Sequence, residues 1–175
     1  MRFFFYGTLL DADVRRLVLS ESHARLELAP ATLSGWVRTP ARHGSFPVVR
    51  RHPGGRVRGL LAEGIDLAGL HRMAHFEGDG YTVGRQAVAA GGGLVEAHVF
   101  LPERRGLCLA GDWTLHDWQR RHKRRFLPRV ERWMSEFGAA GPWSGDLSWH
   151  ARRRIAGIAR QAGDLPPGAW LRLAA

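Results

Sequence analysis

Cysteine is nearly absent from this chain, and that scarcity excludes a good deal. Cys108 is the single cysteine in 175 residues, so no intramolecular disulfide can form, and a reducing cytoplasm is the expected setting. Lysine is equally rare, with Lys123 as its sole representative. Long apolar runs are missing as well. None approaches the roughly 20 residues needed to span a bilayer. The opening Met1-Arg2-Phe3-Phe4-Phe5-Tyr6 is too short for the apolar region of a signal peptide and has no small-residue cleavage site. A soluble, unprocessed protein with no membrane association is expected. There is no Walker phosphate loop, no Gly-x-Ser-x-Gly elbow and no Cys/His cluster. Nucleotide-hydrolysing, serine-hydrolase and zinc chemistries are therefore unsigned in this sequence.

What is abundant is arginine. The net charge is +10, which suits nucleic acid, anionic membrane surfaces or acidic small molecules. Charge of this kind speaks to association and not to fold, and an arginine-rich composition accounts for it without any partner. The length fits one domain with a proper core.

Along the chain, the aromatic run from Phe3 to Tyr6 reads as a buried strand ending at Gly7. Asp11 caps a short helix with Val14, Leu17 and Val18 on one face. Strands are predicted over 31–39, 45–51 and 56–62, with a turn at Pro53-Gly54-Gly55. From Asp66 the period becomes helical through Leu67, Leu70, Met73 and Ala74, running out near Phe76-Glu77-Gly78. Two strands over 83–90 and 94–101 flank Gly91-Gly92-Gly93, a hairpin signal. A long helix starts at Thr114, with Trp118, His122, Phe126, Val130, Trp133 or Met134, and Phe137 on its apolar face. A last helix is expected over 148–161. Strands gathered before helices, with hairpins between them, imply an α+β domain built on a small mixed or antiparallel barrel. The expected core domain is 1–141, with 142–175 as a helical extension.

Two segments hold residue types suited to chemistry. Tyr6-Gly7-Thr8-Leu9-Leu10 joins a strand to a possible helix start, where backbone N–H groups favour an anion; read plainly, it is a tight strand-to-helix turn. Phe76-Glu77-Gly78-Asp79-Gly80-Tyr81 sits where a helix meets a strand. A carboxylate beside apolar groups has a raised pKa and exchanges protons near neutrality. Glu77 is the candidate, Asp79 its competitor, and a solvated loop acid the plain alternative. Tyr81 either lines a cavity or packs at the strand start.

The Tyr-Gly-Thr-Leu turn after the first strand, followed later by Phe-Glu-Gly-x-x-Tyr, resembles the γ-glutamylcyclotransferase-like superfamily, in its branch of plant avirulence-induced-gene proteins. Gly59-Leu60-Leu61 and the late Trp113-Thr114-Leu115-His116-Asp117-Trp118 helix fit the same pattern, over roughly residues 1–137. Met73-Ala74-His75 stands where the family usually has Leu-Asp, and Arg85 is the nearest counterpart of an arginine usual after the tyrosine. The resemblance implies a compact barrel with a side cavity. It implies Glu77 as catalytic proton acceptor and donor, and Tyr6 to Leu10, with Tyr81, as the substrate-binding residues. The implied substrate is a small γ-glutamyl compound, with no cofactor and no metal.

Other candidates are weaker. His71 and His75 have two-ligand spacing without a third ligand, and read better as a solvated helix face. Cys108 lacks a paired histidine and reads as a small apolar filler. Trp36 and Arg38 are placed to border a pocket. The runs 120–125 and 152–154 are material for a nucleic-acid surface, but Trp118, Phe126 and Trp133 fit the buried stripe, so nucleic acid is not the expected partner. A non-catalytic small-ligand binder is the remaining alternative. Residues 142–175 are a candidate lid.

Overall fold

The computed structural model describes residues 1–78, 80–103, 109–137, 155, 157 and 158, and within 1–137 the described residues form five strands and four α-helices. They are β1 (Phe3–Phe5), α1 (Ala12–Leu19), β2 (Glu27–Pro40), β3 (Pro47–Glu63), α2 (Leu67–Glu77), β4 (Tyr81–Ala90), β5 (Gly93–Pro102), α3 (Leu115–Arg121) and α4 (Lys123–Glu136). The strands close into a barrel in the order β1-β3-β2-β4-β5. All pairings are antiparallel except β1 with β5, which meet in parallel at Phe3 and His98. The architecture is thus α+β with a small mixed barrel flanked by helices.

β1 explains how one short strand serves two cores. Successive side chains of a strand point to opposite faces. Phe4 and Tyr6 enter the barrel interior with Leu33, Trp36, Val57 and Val99. Phe3 and Phe5 point outward and meet Val14, Leu70, Trp118 and Met134 of the helices. All three phenylalanines are buried, and each contributes roughly 2 kcal/mol by leaving water. Ile155 and Ile158 are helical and buried in the same helix-side core; the rest of 142–175 lies outside the described residues. Among those described, no helix is long and apolar enough to cross a membrane.

Two expectations are corrected here. Pro53-Gly54-Gly55 does not separate two strands. β3 runs through it as a bulge: Ser34 faces Arg56, whereas Trp36 faces Arg51. Gly54 takes φ +76, and a Cβ on Gly55 would stand 2.5 Å from the Trp36 carbonyl oxygen. These glycines let a long strand kink against its partner. The helix from Thr114 is also not continuous. It breaks at His122, whose φ of −124 leaves the helical region. Beyond the break Lys123 reaches Asp11 at 2.7 Å and Asp13 at 2.6 Å. The predicted capping at Thr114 is present, its hydroxyl oxygen accepting from the Asp117 N–H at 3.1 Å.

Candidate active site

The segment after β1 is a single tight turn at the barrel mouth. The Leu10 N–H donates to the Gly7 carbonyl at 2.9 Å and the Asp11 N–H to the Thr8 carbonyl at 3.0 Å. Two arginines hold it from outside. Arg15 Nη1 donates to the Leu9 carbonyl at 2.7 Å, and Arg38 Nη1 to the Tyr6 carbonyl at 2.9 Å. The four carbonyls of residues 6 to 9 are thereby occupied, while the N–H groups of Gly7 and Thr8 donate to no described residue. Below the turn, Asp11 caps α1 and accepts from Gln119 and Lys123, each at 2.7 Å. Burial pushes the Asp11 carboxyl up, but the hydrogen bonds from Lys123 and Gln119 outweigh it and hold the group below the usual carboxylate range.

Glu77 arrives from the other side. It is the last residue of α2, which Asp66 caps by accepting from the Gly69 N–H at 2.8 Å. Gly78 ends the helix at φ +66, with open space around it, so backbone conformation and not crowding demands glycine there. The Glu77 carboxyl accepts no hydrogen bond from a described residue, and burial lifts it from the ordinary 4.5 to about 8. Both tyrosines of the chain lie beside it. The Tyr6 hydroxyl donates to the Phe100 carbonyl at 2.8 Å. Burial, then Tyr81, then Glu77, raise the Tyr6 pKa well above normal. Burial and Glu77 likewise raise that of Tyr81.

Two cavities share Thr8, Glu77 and Tyr81 as walls. The smaller, of about 30 Å³, runs over the turn between Tyr6, Gly7, Leu9, Pro47 and Phe100. The larger, of about 310 Å³, opens toward α4 and is walled by Phe46, Phe76, Phe126, Arg129, Val130 and Trp133. Glu77 stands at their junction. The arrangement holds a proton on a carboxyl group close to neutral pH, beside a turn with spare N–H donors.

Residues 3–120 match the family described as gamma-glutamyl cyclotransferase, AIG2-like. The chain belongs to this family. It is 25% identical over 134 residues to AIG2-like protein A of Arabidopsis thaliana, covering 75% of this chain and 79% of that one. A solution structure from Arabidopsis thaliana superposes with a TM-score of 0.55 at 19% identity, over 83% of this chain and 88% of its own. A solved gamma-glutamyl cyclotransferase superposes with a TM-score of 0.50 at 16% identity, over 99% of this chain and 86% of its own. At such identities these two likenesses speak to the fold.

Within the cyclotransferase family frame, the structure gathers most of the predicted site residues. Tyr6, Gly7, Thr8, Leu9, Glu77 and Tyr81 surround the small cavity. Leu10 lines neither cavity and packs against the helix-side core. Trp36 is buried inside the barrel under the Arg51 guanidinium, at 4.3 Å from its ring centroid. Arg38 braces the turn instead of lining either cavity. Asp79 and Cys108 lie outside the described residues.

The histidine pair is not a solvated face. His71 is 1% exposed. His75 stacks on Trp133 with ring centroids 4.9 Å apart. Its Nε2–H donates to the Trp133 carbonyl, and Trp133 Nε1–H donates to the His75 carbonyl, both at 3.0 Å. Trp133 itself is 45% exposed and not part of the buried stripe; Met134 takes that place. The sequence marks none of Phe46, Phe76, Phe126, Arg129, Val130 and Trp133 as a cavity wall, and puts Phe126, Val130 and Trp133 in the buried stripe. Phe126, Arg129, Val130 and Trp133 share an i, i+3, i+4, i+7 spacing, a one-face signature that carries this signal. The family match ends before α4, so this wall lies outside it.

Proposed function

We propose that the protein converts a small γ-glutamyl amide into 5-oxoproline and a free amine, with Glu77 as the proton carrier. One observation carries the reading: a carboxyl held near pKa 8 stands where two cavities meet, in a chain of the cyclotransferase family. The substrate's α-nitrogen attacks its own γ-carbonyl carbon. The new C–N bond closes a five-membered lactam, and the C–N bond to the leaving amine breaks. The nucleophile is already tethered, so folding the substrate supplies much of the acceleration.

The protons balance through one group. The Glu77 carboxylate takes a proton from the attacking ammonium and, once neutral, returns it to the departing nitrogen. Two hydrogens leave the first nitrogen and two reach the second, so the amine departs as an ammonium and Glu77 ends as it began. The free N–H groups of Gly7 and Thr8 are suited to the substrate's carboxylate or to the developing oxyanion.

The test is 5-oxoproline release from a panel of γ-glutamyl amines, γ-glutamyl amino acids and glutathione, comparing wild type with Glu77→Gln. Release by wild type that the Gln variant lacks is the expected result. An active Gln variant removes Glu77 from its role. Silence across the panel by wild type removes the reaction class.

A further inference from the structure

The larger cavity is the space available to the part of a substrate that would leave, and its lining has a distinct chemistry. This rests on the cyclotransferase reading above. The small cavity over the turn, about 30 Å³, admits only the compact end of a substrate. Beyond Glu77 the space widens tenfold, to about 310 Å³, where about 150 Å³ is enough for a benzene ring. Three half-buried phenylalanines, Phe46, Phe76 and Phe126, face this space. Trp133 faces it as well. An indole left 45% exposed is ordinarily free to turn away, but this one is fixed by its stacking on His75 and by the two reciprocal hydrogen bonds. It is an aromatic surface held in place with nothing described covering it.

Among the described residues, the one charged wall residue besides Glu77 is Arg129. Its guanidinium forms no ion pair or hydrogen bond with any described residue. Its neighbours one helical turn away, Arg125 and Arg132, are exposed and carry the same sign. An incoming cation meets repulsion from this face, and a carboxylate meets an available partner with planar, bidentate geometry.

We propose that α4 selects an aromatic leaving group that carries a carboxylate, the class represented by γ-glutamyl derivatives of aromatic amino acids. The ring fills the Phe46, Phe76, Phe126 and Trp133 space, and the carboxylate pairs with Arg129 at the rim. A small leaving amine leaves the aromatic space empty, and one that ends in a cation, such as a lysine side chain, brings the wrong charge to this face.

The experiment compares kcat/KM for four substrates with the full chain: γ-glutamyl-L-phenylalanine, γ-glutamyl-phenethylamide, γ-glutamyl-L-alanine and γ-glutamyl-L-lysine joined through the lysine α-nitrogen. The phenylalanine derivative should exceed the alanine one by at least about tenfold, from burial of the ring. It should exceed the phenethylamide by about fivefold, a modest factor because Arg129 is water-exposed. Arg129→Ala should bring the phenylalanine-to-phenethylamide ratio to within about twofold, and Arg129→Lys should restore part of it. Equal turnover of those two substrates by wild type overturns the proposal. So does a ratio that survives Arg129→Ala, or a preference for the lysine derivative. If wild type turns over none of the four, the cyclotransferase reading falls separately, and calorimetry with N-acetyl-L-phenylalanine and N-acetylphenethylamine reads the pocket directly. Binding of the first that depends on Arg129 upholds the recognition chemistry; equal binding of both, or none, overturns it.

Discussion

The two chambers that meet at Glu77 are built on different principles. The small one belongs to the barrel. Its floor is a turn whose carbonyls are tied by Arg15, Arg38 and its own backbone, and whose far side rests on the buried Asp11 with Lys123. The large one belongs to the helices. Its outer wall is one face of α4, with an exposed tryptophan and a guanidinium that pairs with no described residue. The first lies within the stretch that matches the family, and the α4 wall of the second lies beyond it. The difference suggests a division of labour. On the proposed reading, chemistry would sit on the part of the fold tied by hydrogen bonds, and selection on a wall whose side chains can be exchanged without disturbing the barrel.

Glu77→Gln should break the comparison most severely, because both chambers share this residue. Turnover should fall by about a thousandfold, read as 5-oxoproline release. The same change should stabilise the fold. Because the folded-state carboxyl titrates near 8 and not near 4.5, the folded chain keeps a proton that the unfolded chain loses between those values, and stability therefore falls as pH rises through that window. The Gln variant escapes this, so its advantage in melting experiments should be absent at pH 4 and grow to on the order of 4 kcal/mol by pH 8. In wild type, kcat/KM should rise with pH up to about 8 and then level off, as the free enzyme gains its base.

Lys123→Met should come next, and should damage the rigid side alone. It strips the cation from an Asp11 side chain that is 1% exposed, and a cost of about 2 kcal/mol in denaturant unfolding is expected. The depressed Asp11 pKa means its stabilisation is present at neutral pH and fades as pH falls through the folded value, so the deficit should shrink in acid. Trp133→Ala should act on the helical side, raising KM by about fivefold with a smaller effect on kcat. Tyr6→Phe should have the smallest effect. It leaves the Phe100 carbonyl without the hydroxyl donor, for about 1 kcal/mol of stability.

How far the sequence disclosed these chambers follows the same line. The turn and Glu77 were legible because both depend on local signals: a glycine after a buried strand, and a helix that runs out at Glu-Gly before a new strand. The hairpin at Gly91-Gly92 and the caps at Asp11, Asp66 and Thr114 were legible for the same reason. Long-range packing decided the rest. Trp133 and Met134 are adjacent and fit the apolar stripe equally well; only the docking of α4 sends Met134 inward and Trp133 to the cavity. The Pro53-Gly54-Gly55 segment has turn chemistry, but Trp36 on β2 converts it into a bulge. His71 looked like one of a solvated pair because nothing in its neighbourhood of sequence marks the face that packs into the core.

The position of Glu77 at the end of α2 has an electrostatic consequence. The aligned peptide dipoles of a helix leave about half a negative charge at its C-terminus, so the helix opposes ionisation of the residue that ends it and welcomes a cation beside it. An empty site accordingly holds its acid neutral. On the proposed reaction, a substrate arriving with its ammonium group would reverse the balance, favouring the ionised carboxyl at the moment a base is required. Occupancy would then arm the site, and the unoccupied protein would rest in a form that does little to solvent or to passing acyl groups.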